Sequence, residues 1–151
     1  MKILIAAIGK AKAGPEQQLF LDYTRRLPWK ISCKEFQVKL DDTEQRKERE
    51  GEQLLTTCKD FEYIISLDES GKPLSSREFA DHLKRTTQQG ISSFAFIIGG
   101  SDGLSEAVLK KSKLVWSLGR VTWPHMLVRG LLAEQLYRAH SLITNHPYHR
   151  D

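Results

Sequence analysis

Short apolar segments alternate with longer helical segments five times along this chain of 151 residues. The first apolar segment, residues 2–8, is almost continuously apolar, which is typical of a strand buried on both faces of a parallel sheet. The alternation predicts one α/β domain over residues 1–151, with a mainly parallel sheet and helices on both faces. The predicted strands are residues 2–8, 31–40, 61–67, 93–98 and 114–118, and the predicted helices are residues 15–27, 41–57, 75–89, 104–110 and 124–140.

Polar residues mark the starts of two predicted helices. Asp42 or Thr43 is expected to cap the second helix, because Asp and Thr side chains accept hydrogen bonds from free N–H groups of the first turn. Ser75 or Ser76 is expected to cap the third, and Glu78 lies three residues after Ser75, which is the spacing of a capping box.

Two predicted strands have informative ends. Residues 68–73, with the sequence DESGKP, predict a turn that ends the third strand. Residues 31–40 alternate between apolar and polar side chains, with one break at Lys34-Glu35. We therefore expect a strand with one solvent-exposed face near a sheet edge, with either a bulge or a misplaced boundary at the break.

The N-terminus allows two interpretations. Ala11-Lys12-Ala13 resembles a signal-peptide cleavage site, but the apolar run before it, residues 3–8, has only six residues, whereas signal peptides have about 7–15. A first β-strand, and hence a cytoplasmic protein, is favoured. No apolar run approaches the roughly 18 residues that a membrane-spanning helix needs. Cys33 and Cys58 form no CxxC motif, so we expect reduced, structural cysteines.

The chain carries a formal net charge of +4 and has a sequence isoelectric point of about 9.1. This charge suits a nucleic-acid partner, although many basic proteins bind none. Arg25 and Arg26, at the end of the first predicted helix, are candidates for contact with phosphate; the plainer interpretation is a solvated helix end.

Two glycine-containing loops follow predicted strands, where open α/β sheets bind their ligands. Residues 99–103, GGSDG, lack the GK[ST] ending of a Walker loop and the GxGxxG order of a dinucleotide fold. Gly99 and Gly100 permit close approach of a ligand to the backbone, and a tight strand–helix turn is the alternative. Residues 117–124, SLGRVTWP, are long for a plain strand–helix connection, and their apolar members are suited to enclose an adenine ring.

Two of the five histidines lie close together near the C-terminus, in the sequence His146-Pro147-Tyr148-His149. No cysteine or cluster of acidic residues accompanies them, so no metal site is predicted. A role as a catalytic base or in RNA contact is favoured instead. His82 is interpreted as a surface or packing residue.

Three motifs together resemble those of a known family: FIIGGSDGLSEA, WSLGRVTWPHMLVRGLLAEQLYRA and the terminal NHPYHR. They are similar to those of the RlmH (YbeA-type) family of small SPOUT-superfamily methyltransferases, and the resemblance extends over nearly the whole chain. It implies methylation of N3 of a pseudouridine in helix 69 of 23S ribosomal RNA, on the assembled ribosome. The main alternative is a non-catalytic basic module that binds RNA or the ribosome, and a nucleotide hydrolase is a third hypothesis.

The resemblance also implies a C-terminal trefoil knot and S-adenosylmethionine bound by the knot loops. A homodimer is expected, in which the tail of one subunit completes the site of the other. By position, the residues that the resemblance implies for the cofactor are Leu67, Gly99, Gly100, Gly119, Arg120, Val121, Thr122, Trp123 and Pro124.

The C-terminal residues are the candidates for catalysis. A neutral His149 is suited to accept the N3 proton, Arg150 to stabilise negative charge that develops on the uracil carbonyls, and Tyr148 to stack on or hydrogen-bond to the base. Residues expected to contact RNA are His125, Arg129, Arg138, Arg25 and Arg26. For the first three, helix-end pairing or solvent exposure is the alternative.

Overall fold

A computed structural model, which describes residues 1–149, contains one five-stranded sheet with the strand order β2-β1-β4-β3-β5. All four pairs of neighbouring strands are parallel, so the predicted α/β class is confirmed. The strands are β1 Lys2–Ile8, β2 Lys30–Phe36, β3 Tyr63–Pro73, β4 Ser93–Ile98 and β5 Leu114–Ser117. The helices are α1 Pro15–Arg26, α2 Thr43–Cys58, α3 Ser76–Gln88, α4 Glu106–Lys111 and α5 His125–Ile143.

The helices cover both faces of the sheet, as predicted. Alternate residues of β1 point to opposite faces, because side chains along a strand alternate. Ile3 and Ile5 belong to one apolar cluster with residues of α1, α3 and α5. Leu4 and Ala6 belong to a second cluster with residues of α2 and α4. Both clusters are needed to bury the central strands, which explains why β1 and β4 are almost continuously apolar.

The predicted edge strand is confirmed as β2, but it is shorter than expected. It ends at Phe36 rather than at residue 40. Its register against β1 runs without a shift from Lys30 to Phe36, so the sequence break at Lys34-Glu35 is not a bulge. The predicted boundary was therefore wrong, and the alternating residues after Phe36 belong to the following loop.

The turn predicted at residues 68–73 is wrong as a strand end, because β3 continues to Pro73. The register breaks within it: Leu67 and Lys72 both pair with Trp116, so residues 68–71 leave the ladder and return. The Asp68 carboxylate accepts a hydrogen bond of 2.9 Å from the Ser70 backbone N–H, which is the turn chemistry that the sequence indicated. We call residues 68–71 the β3 excursion.

The helix caps follow the sequence closely. Asp42 accepts a hydrogen bond of 2.8 Å from the backbone N–H of Gln45. Ser75 and Glu78 form the complete capping box. The last helix continues three residues beyond the predicted end at residue 140. No helix among residues 1–149 is long and apolar enough to span a membrane.

A close approach between α2 and α4 gives the first testable prediction. A Cβ on Gly51 would lie 2.3 Å from Oγ of buried Ser105, whose hydroxyl caps α4 by accepting from the Val108 N–H. Gly51→Ala should therefore lower the free energy of unfolding by about 1–3 kcal/mol, because the two helices must separate. Chemical denaturation measures this loss.

Ser105→Gly is the matched second change. Removing the serine side chain relieves the contact, so Gly51→Ala should cost much less in the Ser105→Gly background than in the wild type. Equal costs in both backgrounds would show that this contact does not set the helix spacing.

Candidate active site

A cavity of about 840 Å³ opens at the carboxyl ends of β3, β4 and β5. Its walls are residues 67–70 of β3 and its excursion, residues 98–104 after β4, and residues 116, 118, 119 and 121–125 at the end of β5 and beyond. Val128 on α5 completes the lining. The loops predicted to bind a ligand thus meet at one cavity, because β4, β3 and β5 are consecutive neighbours in the sheet.

Eight of the nine residues expected at a cofactor line this cavity. They are Leu67, Gly99, Gly100, Gly119, Val121, Thr122, Trp123 and Pro124. Arg120 is exposed to solvent and does not line it. The sequence-based prediction therefore identifies a contiguous concave surface, with one side chain directed elsewhere.

The loop after β4 turns back tightly on itself. The Gly103 N–H donates a hydrogen bond of 3.1 Å to the Gly100 carbonyl. A Cβ on Gly99 would lie 3.1 Å from the carbonyl carbon of Gly103, and Gly103 has a φ of +80°. Glycines are required where the loop folds back and where its backbone faces the cavity.

The loop between β5 and α5 makes hydrogen bonds within itself. The Ser117 hydroxyl donates to the Gly119 carbonyl at 2.9 Å, and the indole N–H of Trp123 donates to the Leu118 carbonyl at 3.2 Å. Val121 and Trp123 remain 59% and 39% exposed, which is unusual for large apolar side chains. They give the cavity an apolar rim suited to a flat ring.

The β3 excursion supplies a wall that sequence reasoning missed. It brings Asp68 and Glu69 to the cavity, and Asp102 lies on the opposite loop. No Lys or Arg is found among the described residues that line the cavity. Asp102 is paired with Arg46, so Asp68 and Glu69 are the carboxylates that favour a ligand with a cationic centre and disfavour a triphosphate. The DESGKP turn signal marked this segment but did not indicate that it faces the site.

The C-terminal tail packs against α1 and α5 of its own chain. The Tyr148 hydroxyl lies 2.9 Å from that of Tyr23 and donates to Glu134 at 3.1 Å. Burial raises the pKa of Tyr148, so its phenol is neutral at physiological pH. Arg138 Nη1 lies 3.1 Å from Nδ1 of His149. Arg150, also predicted to be catalytic, lies outside the described residues.

The tail and the cavity lie at opposite ends of α5. His125, which begins the helix, lines the cavity, whereas Arg138, which contacts His149, is 13 residues further along. At about 1.5 Å per residue this places them roughly 20 Å apart along the helix axis. One chain therefore does not bring His149 to its own cavity.

The residues expected to contact RNA occupy different environments. His125 is at the cavity. Arg25 and Arg26 are exposed, and the Arg26 guanidinium lies 4.3 Å from the ring centroid of Tyr137. Arg138 is half-buried and paired with Glu134, which raises its pKa.

Arg129 corrects an expectation. Its side chain is only 2% exposed and is paired with Glu35, and it donates to the carbonyls of Ile8 and Gly9. A residue buried in this way joins α5 to the ends of β1 and β2, so its guanidinium group is not the solvent-exposed cation that was expected. The sequence gives no signal for this burial, because an arginine on a helix is usually solvated.

A buried carboxyl group lies beneath the loop after β4. Glu50 is 6% exposed, and its Oε2 has no hydrogen-bond partner among residues 1–149. A Cβ on Gly100 would lie 3.7 Å from its Oε1. Burial raises the pKa of Glu50; nearby Asp102 raises it further, and Arg46, which pairs with Asp102 at 2.6 Å, opposes the rise.

This raised pKa makes stability depend on pH. Glu50 binds its proton more tightly in the folded chain, so ionisation above the unfolded-state pKa opposes folding. Glu50→Gln, which cannot ionise, should raise the unfolding temperature relative to the wild type at about pH 8, and the gain should shrink toward about pH 4. Calorimetry at several pH values measures the difference.

Exposed Glu52 in the same helix is the matched control, and Glu52→Gln should show no such gain. A Glu50→Gln variant that is less stable than the wild type at pH 8 would contradict this account of the buried carboxyl group.

Comparisons with known proteins agree with this geometry. Residues 1–149 match the family model described as "Predicted SPOUT methyltransferase". The chain is 51% identical over 151 residues to a protein named ribosomal RNA large subunit methyltransferase H from Paramagnetospirillum magneticum, with 99% of each chain covered. It is 42% identical to a protein of the same name from Rhodospirillum centenum, again with 99% of each covered.

Solved structures show the same fold. A probable methylase family protein from Haemophilus influenzae Rd KW20 superposes with a TM-score of 0.62 at 13% identity, over 99% of this chain and 70% of that one. A probable methyltransferase from Bordetella pertussis Tohama I gives a TM-score of 0.60 at 13% identity, over 91% of this chain and 95% of that one. The full-length family match and the identity to these relatives establish that the chain belongs to the SPOUT methyltransferase family.

Proposed function

We propose that this chain is a cytoplasmic S-adenosylmethionine-dependent methyltransferase that acts on 23S ribosomal RNA, at N3 of a pseudouridine in helix 69 of the assembled ribosome. The observation that carries the proposal is the acidic, glycine-walled cavity formed by three neighbouring strand ends. The names of relatives at 51% and 42% identity support ribosomal RNA as the substrate.

The cavity fits the methyl donor in size and in charge. Its volume of about 840 Å³ lies within the range of roughly 300–1,000 Å³ typical of small-molecule sites. The loop at residues 117–124 would hold the adenine against Val121 and Trp123, and the backbone at Gly99 and Gly100 would lie along the donor. When bound, S-adenosylmethionine supplies an electrophilic methyl group on a sulfonium cation, which the cavity carboxylates favour.

The position of the tail argues for a homodimer. Arg138, which contacts His149, lies 10 residues beyond Val128, the last residue of α5 that lines the cavity of its own chain, or about 15 Å along the helix. A second copy, packed so that its tail reaches this cavity, would supply the acid–base groups that the cavity lacks. The proposal includes the trefoil knot implied by the resemblance.

Arg138 orients the imidazole of His149 in this proposal. A guanidinium group only donates hydrogen bonds, so Nδ1 of His149 is the acceptor in their contact of 3.1 Å. The N3–H of the base would replace Arg138 as the donor to the same lone pair. Arg138 retains its hydrogen bonds to Glu134, so this exchange leaves no cation unpaired.

The remaining tail residues position the base. Tyr148, tied to Tyr23 and Glu134, fixes the course of the tail beside Arg138. Removal of the N3 proton places negative charge on the uracil carbonyls, and Arg150 is suited to stabilise it. Arg25 and Arg26, which are exposed on α1, are suited to contact phosphates.

The proposal predicts a methyl group at one site of the RNA. Ribosomes from cells that lack this chain, incubated with the protein and S-adenosylmethionine, should gain one methyl group on a pseudouridine of helix 69, as measured by mass mapping of digested 23S RNA. His149→Ala should keep its affinity for the donor by titration calorimetry but lose roughly 10²–10⁴-fold in rate, the usual contribution of an acid–base group.

Full activity of His149→Ala would remove the base assignment. A protein that binds ribosomes but not the donor would support the non-catalytic RNA-binding module instead, and binding of ATP in preference to S-adenosylmethionine would favour the nucleotide hydrolase.

A composite site predicts complementation between two inactive variants. Thr122→Arg places a bulky cation at the exposed rim of the cavity and should abolish binding of the donor sulfonium. Thr122→Arg and His149→Ala homodimers should each be inactive. Co-expressed subunits should recover activity, because a mixed dimer contains one intact cavity facing one intact tail.

The expected recovery is about a quarter of the wild-type activity, since random pairing makes half of the dimers mixed and each of these has one working site. The matched control is the double variant, which carries both changes in one chain, co-expressed with His149→Ala. A lack of recovery in mixed dimers of Thr122→Arg and His149→Ala would show that the tail acts on its own chain.

A further inference from the structure

A second cavity, of about 350 Å³, lies beside the start of α5. The loop between β1 and α1 forms most of it, through residues 10–13, together with Glu16 and Gln17 at the start of α1. Met126 and Arg129 of α5 close it. The proposed function assigns no role to this cavity, and sequence reasoning weighed part of this loop only as a signal-peptide cleavage site.

The polar groups of this cavity favour an anion. Lys10 and Lys12 are exposed cations on its wall, and α1 begins there after Gly14, which has no side chain to cap the helix. The free N–H groups of a helix start bind anions. Glu16 is the only carboxylate among the described residues that line the cavity.

A buried guanidinium group provides an independent indication of a missing acceptor. Arg129 is 2% exposed, and both of its terminal nitrogens have partners, whereas its Nε has none among the described residues. A buried donor without an acceptor costs about 1–3 kcal/mol. Arg129 lines the cavity, so an anion bound there would lie beside its guanidinium side chain. A water molecule in the same place could not neutralise the positive charge of Lys10 and Lys12.

The loop is already fixed in the shape that forms the cavity. The Ala11 N–H donates to Glu35 at 3.1 Å, and Glu35 is also the partner of Arg129. Lys10 and Lys12 therefore flank a backbone N–H that is hydrogen-bonded to strand β2. Such preorganisation lowers the entropic cost of binding.

The two cavities are lined by consecutive residues at the start of α5. His125 lines the donor cavity, Met126 lines the second cavity, and both side chains lie within about 3.2 Å of the position that a Cβ on Gly9 would occupy. A polyanionic strand whose base enters the donor cavity would therefore carry its backbone past the second one.

We propose that this cavity is a phosphate subsite, in which Lys10 and Lys12 hold a phosphodiester of the RNA next to the nucleotide that is methylated. The inference rests on the proposed function and specifies how its substrate is positioned. The two lysines bind ground state and transition state alike, so they set the affinity for RNA and not the rate of the chemical step.

The test uses Lys10→Gln, Lys12→Gln and the double variant of the full chain, with co-sedimentation of 70S ribosomes at several salt concentrations and no methyl donor. Each phosphate contact contributes about 0.7–0.9 to the steepness of log affinity against log salt, so each single substitution should reduce the steepness by this amount. Over a tenfold range of salt, from about 1 M down to about 0.1 M, the variant should therefore gain roughly five- to eightfold less affinity than the wild type. In methyl transfer, KM for ribosomes should rise and kcat should stay unchanged.

The matched control is the double variant Lys59→Gln/Lys84→Gln, which removes the same charge from exposed positions at the opposite ends of the strands. If the Lys10→Gln/Lys12→Gln variant had the same ribosome affinity and the same salt dependence as this control, the proposed subsite would be wrong. Loss of affinity for S-adenosylmethionine by calorimetry, with ribosome binding kept, would also overturn it, because the cavity would then hold the carboxylate of the donor.

Failure of the proposed function would look different. A wild-type chain that binds S-adenosylmethionine but neither sediments with ribosomes nor methylates them would refute ribosomal RNA as the substrate, and the subsite with it. Normal methylation by the wild type with no effect of either lysine would remove the subsite alone.

Discussion

The order of the strands in the sheet determines where this protein can bind a ligand. Parallel pairing brings all carboxyl ends to one edge, and the order β4-β3-β5 makes three of those ends consecutive. Each of the three then leads into a segment with a backbone open to the cavity: the loop at residues 99–103, the β3 excursion and the loop at residues 117–124. No single loop forms a site, and the cavity exists only because the sheet assembles in this order.

Arg129 connects this edge to the rest of the fold. Its guanidinium group joins α5 to Glu35 of β2 and to the carbonyls of Ile8 and Gly9 at the end of β1. Removing one partner of such a buried pair leaves an uncompensated charge, which typically costs about 3–5 kcal/mol. The start of α5, and with it His125, is therefore fixed between the two cavities. The same contact that stabilises the domain sets the distance between donor and RNA backbone in the proposed function.

Much of the fold could be predicted from the sequence because its signals are local. Strand β4, the cap at Asp42 and the capping box at Ser75 and Glu78 each depend on neighbouring residues, and all three are confirmed. The prediction that both loops face one ligand was based on the general rule that α/β sheets bind ligands at the carboxyl ends of their strands.

What the sequence did not reveal depends on tertiary contacts. The β3 excursion forms because residues 72–73 pair again with β5, and a local turn signal cannot show that a strand resumes. The burial of Arg129 depends on Glu35, which is 94 residues away in the chain. Glu50 lies in the most charged segment, where most side chains are solvated, and only the packing of α2 under Gly100 explains its burial. Each of these residues is defined by a partner that is distant in sequence.

The most direct measurement is a crystal structure of the protein with S-adenosylmethionine. The account predicts the adenine against residues 117–124, the backbone of Gly100 alongside the donor, and the sulfonium nearer to the carboxylates of Asp68 and Glu69 than to any lysine. A donor bound outside the cavity formed by the ends of β3, β4 and β5 would contradict the central claim.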